Sequence, residues 1–175
     1  MNIELESMAI EMPVVVGHPN RDAFRGVLTL VDVASDKAPA GARGHRVVLT
    51  RAAAEAGLAS LLGMGLDYSP SLDRHDARRK VGIITRAEIK GRQLELRGHL
   101  FAKDFPEIVR EIAKGSQRPS LRASSQNLGM SYEIADARVA DMRAKVWILT
   151  QVTFTGAAVL RRDKAAYRET WIELE

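Results

Sequence analysis

The sequence predicts an α+β fold: a mostly antiparallel β-sheet or small barrel with two or more flanking helices. Three observations lead there. Six or seven short segments carry β-branched or alternating apolar residues. Two further segments repeat apolar residues at helical spacing. Residues 81–101 read as a β-hairpin, two strand-like runs joined by Lys90-Gly91-Arg92. The 175 residues suffice for one domain with a sizeable core. Residues 1–20 read as a weakly patterned N-terminal arm, 21–165 as the folded domain, and 166–175 as a charged C-terminal tail.

In chain order, Met12 to Gly17 suggests a short strand before the turn His18-Pro19-Asn20. Phe24 to Val33 is a better strand, with Asp32 at its end. Ser35 to Arg43 is a loop, and Arg46 to Leu49 another strand. Thr50 is a good N-cap for a helix over Arg51 to Leu62, stopped by Gly63 and Gly65. Leu66 to Asp76 is an irregular polar segment, the kind of loop that often carries function. After the hairpin, Asp104 caps a second helix over Phe105 to Ala113, with Gly115 beyond its end. Ser116 to Gln126 is a polar connection. Asn127 and Gly129 make a turn, and Met130, Tyr132 and Ile134 then alternate with Ser131 and Glu133 as a strand with one buried face. The longest β-run, Val146 to Phe154, ends at Thr155-Gly156.

Composition removes several chemistries. The chain has no cysteine, which excludes disulfides, Cys-based zinc sites and a cysteine nucleophile. Its apolar runs are too short to span a bilayer. Glu4, Glu6 and Glu11 stand where an export signal would be basic. The net charge of +4 is spread among interleaved acids and bases with few aromatics, so a mixed solvated surface fits better than a nucleic-acid footprint. There is no Walker loop, no Gly-x-Gly-x-x-Gly and no Gly-x-Ser-x-Gly elbow, and no two histidines have ligand spacing.

What remains is a serine, a carboxylate and a set of histidines. Ser131 shares a strand face with Glu133; it is either a surface hydroxyl or a nucleophile that needs a base from elsewhere. His18 and His45 lie in turns, and His99 lies within a strand. His75 sits in the polar loop between Asp73 and Asp76, either as a surface histidine or as that base.

The order of the pieces resembles the prohead maturation proteases of tailed bacteriophages, related in fold to herpesvirus assemblin. The pieces are a histidine in a polar loop, the strand Val81-Gly82-Ile83-Ile84, and a hairpin ending Leu96-Arg97-Gly98-His99-Leu100-Phe101. An amphipathic helix follows, then Leu128-Gly129-Met130-Ser131-Tyr132-Glu133, then Phe154-Thr155-Gly156-Ala157-Ala158-Val159-Leu160. The resemblance covers roughly residues 26–170. It implies a serine endopeptidase with His75 as base and Ser131 as nucleophile. Many members carry Leu-Ser-x-Gly-Tyr, which aligned without a gap would put the serine on Gly129; others have Ser-x-Glu, which Ser131-Tyr132-Glu133 matches. Ser120 is the alternative nucleophile. Asp32 is the first candidate to orient His75, with Glu133 as alternative; the later-strand glutamate of some members is replaced here by Ile148. The implied substrates are the scaffold protein, the major capsid protein and the protease itself, cleaved inside the immature capsid in the host cytoplasm. The resemblance allows self-association and calls for no cofactor, metal, nucleic acid or membrane. A second expectation is a catalytically inactive scaffold or capsid-interior protein of the same fold. A third, a hydrolase of small esters, would place a deep apolar pocket beside Ser131.

Overall fold

The structure, a computed structural model, describes residues 7–116 and 128–175. In chain order its strands are β1 (Ser7–Ala9), β2 (Asp22–Leu30), β3 (Arg46–Leu49), β4 (Gly65–Asp67), β5 (Lys80–Lys90), β6 (Gln93–Leu100), β7 (Leu128–Val139), β8 (Val146–Arg161) and β9 (Trp171–Leu174). The helices are α1 (Arg51–Gly57), continued by a 3-10 turn (Leu58–Leu61), and α2 (Pro106–Ser116). The class is α+β.

All nine strands among the described residues belong to one sheet, ordered β3-β8-β4-β5-β6-β2-β9, with β1 added to β5 and β7 to β8. Only β3 and β4 run parallel to their neighbour β8; the other pairs are antiparallel. The sheet curls until β7 reaches β2 and β9. Met130 N donates to Thr170 Oγ1 at 3.1 Å, and a Cβ on Gly26 would lie 2.8 Å from Met130 Sδ. The concave side holds the main core, with Phe24, Leu66, Ile84, Leu96, Leu100 and Phe154 fully buried. Burying each such side chain contributes roughly 1.5–3 kcal/mol.

β8 organises one half of the molecule. β3 pairs with its first residues and β4 with Ala157 and Ala158. Between those two contacts the chain leaves the sheet as α1 and the 3-10 turn, then returns. Thr50 caps α1, its hydroxyl accepting from Ala53 N at 3.2 Å. Ser60 Oγ accepts from Phe154 N at 2.8 Å, taking up a donor that lies between the two strand contacts. Gly57 allows this close approach, since a Cβ there would lie 2.9 Å from Val152 O.

Several sequence expectations change. Residues 12–17 form no strand, and Val14 and Val16 are almost fully exposed. The helix over 51–62 splits at Gly57 into α1 and the 3-10 turn. The polar segment after Gly65 opens with a strand, β4, wedged between β5 and β8. α2 runs through Gly115 to Ser116. β8 does not end at Gly156 but continues to Arg161. The charged tail is not a tail: β9 pairs with β2, and Tyr167, Thr170 and Ile172 are buried. The boundary read at 165 therefore cuts through packed structure. Among the described residues no helix is long and apolar enough to cross a membrane.

Candidate active site

β7 and β8 pair so that Ser131 lies opposite Ala158 and Glu133 opposite Gly156. On the other edge of β8, Asp67 of β4 lies opposite the same Ala158. Residues directly opposite in a sheet share a face, as do residues two apart in one strand. Ser131, Glu133 and Asp67 therefore project from one face, with only glycine and alanine of β8 between them. That small-residue lane leaves room for the longer side chains. A Cβ on Gly156 would lie 2.9 Å from Glu133 Oε2, and one on Gly65 only 2.6 Å from the Lys80 Cδ.

The loop after β4 brings His75 onto this face. Its Nδ1 is 2.9 Å from Glu133 Oε1. The loop is tied down internally: Ser69 Oγ donates to Asp73 Oδ1 at 3.1 Å, and Arg79 N donates to Asp76 O at 2.9 Å. It is also tied to the sheet, since Arg161 N donates to Leu72 O at 2.7 Å and Asp76 N to Asp67 Oδ1 at 3.0 Å. The aspartates flanking His75 are thus occupied within the loop and do not orient the ring.

The electrostatics of the cluster follow from burial and crowding. Asp67 is fully buried. Burial, then hydrogen bonding to and repulsion by Glu133, push its carboxyl up to about 6. Burial also pushes Glu133 upward, but hydrogen bonds to Asp67 and His75 and the Lys80 charge outweigh it and leave Glu133 below the usual carboxylate range. Lys80 Nζ is 3.2 Å from Asp67 Oδ2 and 3.8 Å from Glu133 Oε2. The acidic donors and the imidazole all lie within 4.8 Å of one another, a number and spacing that would also suit a divalent ion. Lys80 already places a fixed cation against both carboxylates, which a metal would have to face.

Ser131, His75 and Glu133 line a cavity of about 610 Å³, together with Trp147, Met142, Leu149 and Arg43. Among the described residues no hydrogen bond joins Ser131 Oγ to His75; such contacts often close only when substrate arrives. With Nδ1 on Glu133, Nε2 is the ring nitrogen left for a hydroxyl.

The expected site residues divide cleanly. His75 and Glu133 meet, and Ser131 lines the same cavity. Asp32 does not join them: its Oδ1 accepts from Arg51 N at 2.9 Å, so it serves the first turn of α1. The carboxylate on His75 is Glu133, because β7 puts it on the face that the loop crosses. Ser120 lies outside the described residues. Gly129, where the ungapped alignment would put the serine, has no room for one: its Cβ would stand 2.6 Å from Thr170 Oγ1. His45 stacks on Trp147, rings 4.5 Å apart, and His99 packs edge-on against Phe101. Sequence reasoning missed Asp67 and Lys80. Their signal was weak, an aspartate and a lysine at the two ends of one polar loop.

No family model and no curated protein matches the chain.

Proposed function

We propose that the chain is a serine endopeptidase that matures viral proheads, with an assemblin-like fold, cleaving scaffold protein, major capsid protein and itself within the immature capsid. The observation that carries the reading is the contact of His75 Nδ1 with Glu133 Oε1 at 2.9 Å, with Ser131 two residues along on the same strand face and lining the same cavity. This is the arrangement of a base held by a carboxylate beside a hydroxyl. Glu133 holds the imidazole with its N–H on Nδ1 and stabilises the imidazolium. His75 Nε2 takes the Ser131 proton as Oγ attacks the scissile carbonyl. The same nitrogen then gives that proton to the leaving amine. Water hydrolyses the acyl-enzyme by the same route.

The test compares wild type with Ser131→Ala, His75→Ala and Ser120→Ala, each incubated with capsid and scaffold proteins. Cleavage lost in the first two and kept in the third supports the reading. Cleavage that persists in Ser131→Ala and disappears in Ser120→Ala moves the nucleophile out of β7.

Two other readings each have one observation in their favour. The lack of a Ser131–His75 hydrogen bond among the described residues suits an inactive scaffold or capsid-interior protein, for which a serine-directed fluorophosphonate would fail to label the folded chain. The apolar wall of Trp147, Leu149 and Met142 suits a hydrolase of small esters. Turnover of p-nitrophenyl esters without cleavage of any protein substrate would select that reading.

A further inference from the structure

Asp67 has no part in the steps above, yet it is a carboxyl group with no exposed surface, set beside a second carboxyl group. Burying such a group is costly unless it is engaged. Every engagement it makes leads to the site. Oδ1 accepts from the backbone N–H of Asp76, the residue after His75, at 3.0 Å. Oδ2 meets Lys80 Nζ at 3.2 Å. A carboxyl oxygen of Asp67 also lies within 4.8 Å of one of Glu133 and of the His75 imidazole.

We infer that Asp67 is a positioning residue that holds both halves of the His75–Glu133 pair, the loop that carries the imidazole and the carboxylate that faces it. Its effect on rate rests on the protease reading; its coupling to Glu133 does not. The titratable and charged groups around it are His75 and Asp76 from the loop, Lys80 from β5 and Glu133 from β7. β8 contributes only Gly156, Ala157 and Ala158.

Up to about pH 6 the pair holds one proton, on the raised Asp67 and not on the lowered Glu133. Glu133 thus remains the anion that an imidazolium needs. Two like carboxyl groups take unlike roles because burial differs between them: Asp67 lies fully inside, while Glu133 reaches the cavity.

Asp67→Asn tests this without removing the group's shape. The amide oxygen can still accept from Asp76 N, and the amide carries no titrating proton. The ¹³C carboxyl resonance of Glu133 in the full chain should show an inflection near the Asp67 value of about 6 in wild type and lose it in Asp67→Asn. Labelling of Ser131 by a fluorophosphonate should slow roughly 100-fold in Asp67→Ala, as for a misplaced catalytic group, and recover in Asp67→Asn. Identical Glu133 titrations in wild type and Asp67→Asn overturn the inference, and so does unchanged labelling in a folded Asp67→Ala. If the inflection behaves as stated but wild type itself never labels, the coupling stands and the protease reading falls.

Discussion

Gly156 and Glu133 face each other across β8 and β7, and the Glu133 carboxylate occupies the space that a side chain at 156 would need. Gly156→Ala should therefore act on the site more than on the fold. A methyl group there meets Glu133 Oε2 at 2.9 Å and the Gly65 carbonyl at 3.2 Å. Overpacking of this kind costs about 1–3 kcal/mol, readable as a lowered melting temperature. Fluorophosphonate labelling should fall further than that stability loss accounts for. Full labelling in Gly156→Ala would mean that Glu133 does not need its present place.

Glu133→Gln keeps the shape and removes the charge. It should lower kcat by roughly 10³- to 10⁴-fold with little change in KM, because the imidazole loses its tautomer control and its counter-ion. Asp32→Ala is the matching control. It removes the acceptor of Arg51 N, should destabilise α1 by about 1 kcal/mol, and should leave kcat unchanged. Cleavage kinetics and a urea melt on the two variants separate the roles.

The carboxyl pair gives a signed pH dependence. Asp67 keeps its proton up to about 6 in the folded chain, against a usual 3.8. The folded state thus binds the extra proton between those values. The stability this contributes is complete below the lower value and is lost as pH rises through the upper one. Glu133 acts in the opposite sense, contributing above its usual 4.5 and losing that contribution as the solution is acidified through its lowered folded value. The stability of wild type relative to Asp67→Asn should drop by on the order of 2 kcal/mol between about pH 4 and pH 7. A difference that stays flat across that range would refute the raised Asp67.

Tyr132 offers a test of the opposite kind. Its ring packs edge-on against Phe154, with centroids 5.8 Å apart. Its hydroxyl is buried and has no hydrogen-bond partner among the described residues; burial pushes it well above the usual range. Tyr132→Phe should be neutral or stabilising by about 1–2 kcal/mol. A clear loss of stability would indicate a partner for that hydroxyl.

Thr170 holds β7 to the C-terminal segment. Its Oγ1 accepts from Met130 N at 3.1 Å and donates to Tyr167 O at 2.9 Å, fully buried. Thr170→Val orphans a buried N–H and should cost about 1–3 kcal/mol. Deleting residues 166–175 removes β9 with Ile172 and should abolish cooperative unfolding, as followed by near-UV circular dichroism.

The sequence made the hairpin legible because β5 and β6 alternate and Gly91, at φ 58°, turns the chain between them. It made Ser131 and Glu133 legible as one strand face. It did not reveal β4, since the three residues Gly65-Leu66-Asp67 carry no periodicity. It misplaced the end of β8, because Gly156 reads as a breaker locally but serves as a gap for a side chain from the neighbouring strand. It also chose Asp32 over Glu133. Asp32 stands out in the sequence at the end of a clear strand, whereas which carboxylate reaches His75 depends on where a loop crosses the sheet.

The pairing of β2 with β9 has a consequence in time. Arg25 and Glu173 are joined across 148 positions, so a chain emerging from the ribosome makes β2 long before its neighbour exists. Until then one edge of β2 presents unpaired N–H and C=O groups to anything nearby. Closure of the curled sheet is a late, long-range event, and such events fold slowly. Gly129 and Met130 gain their cover from Thr170 only at that moment. The strand that carries Ser131 therefore lacks this cover until residues 167–173 are available to supply it.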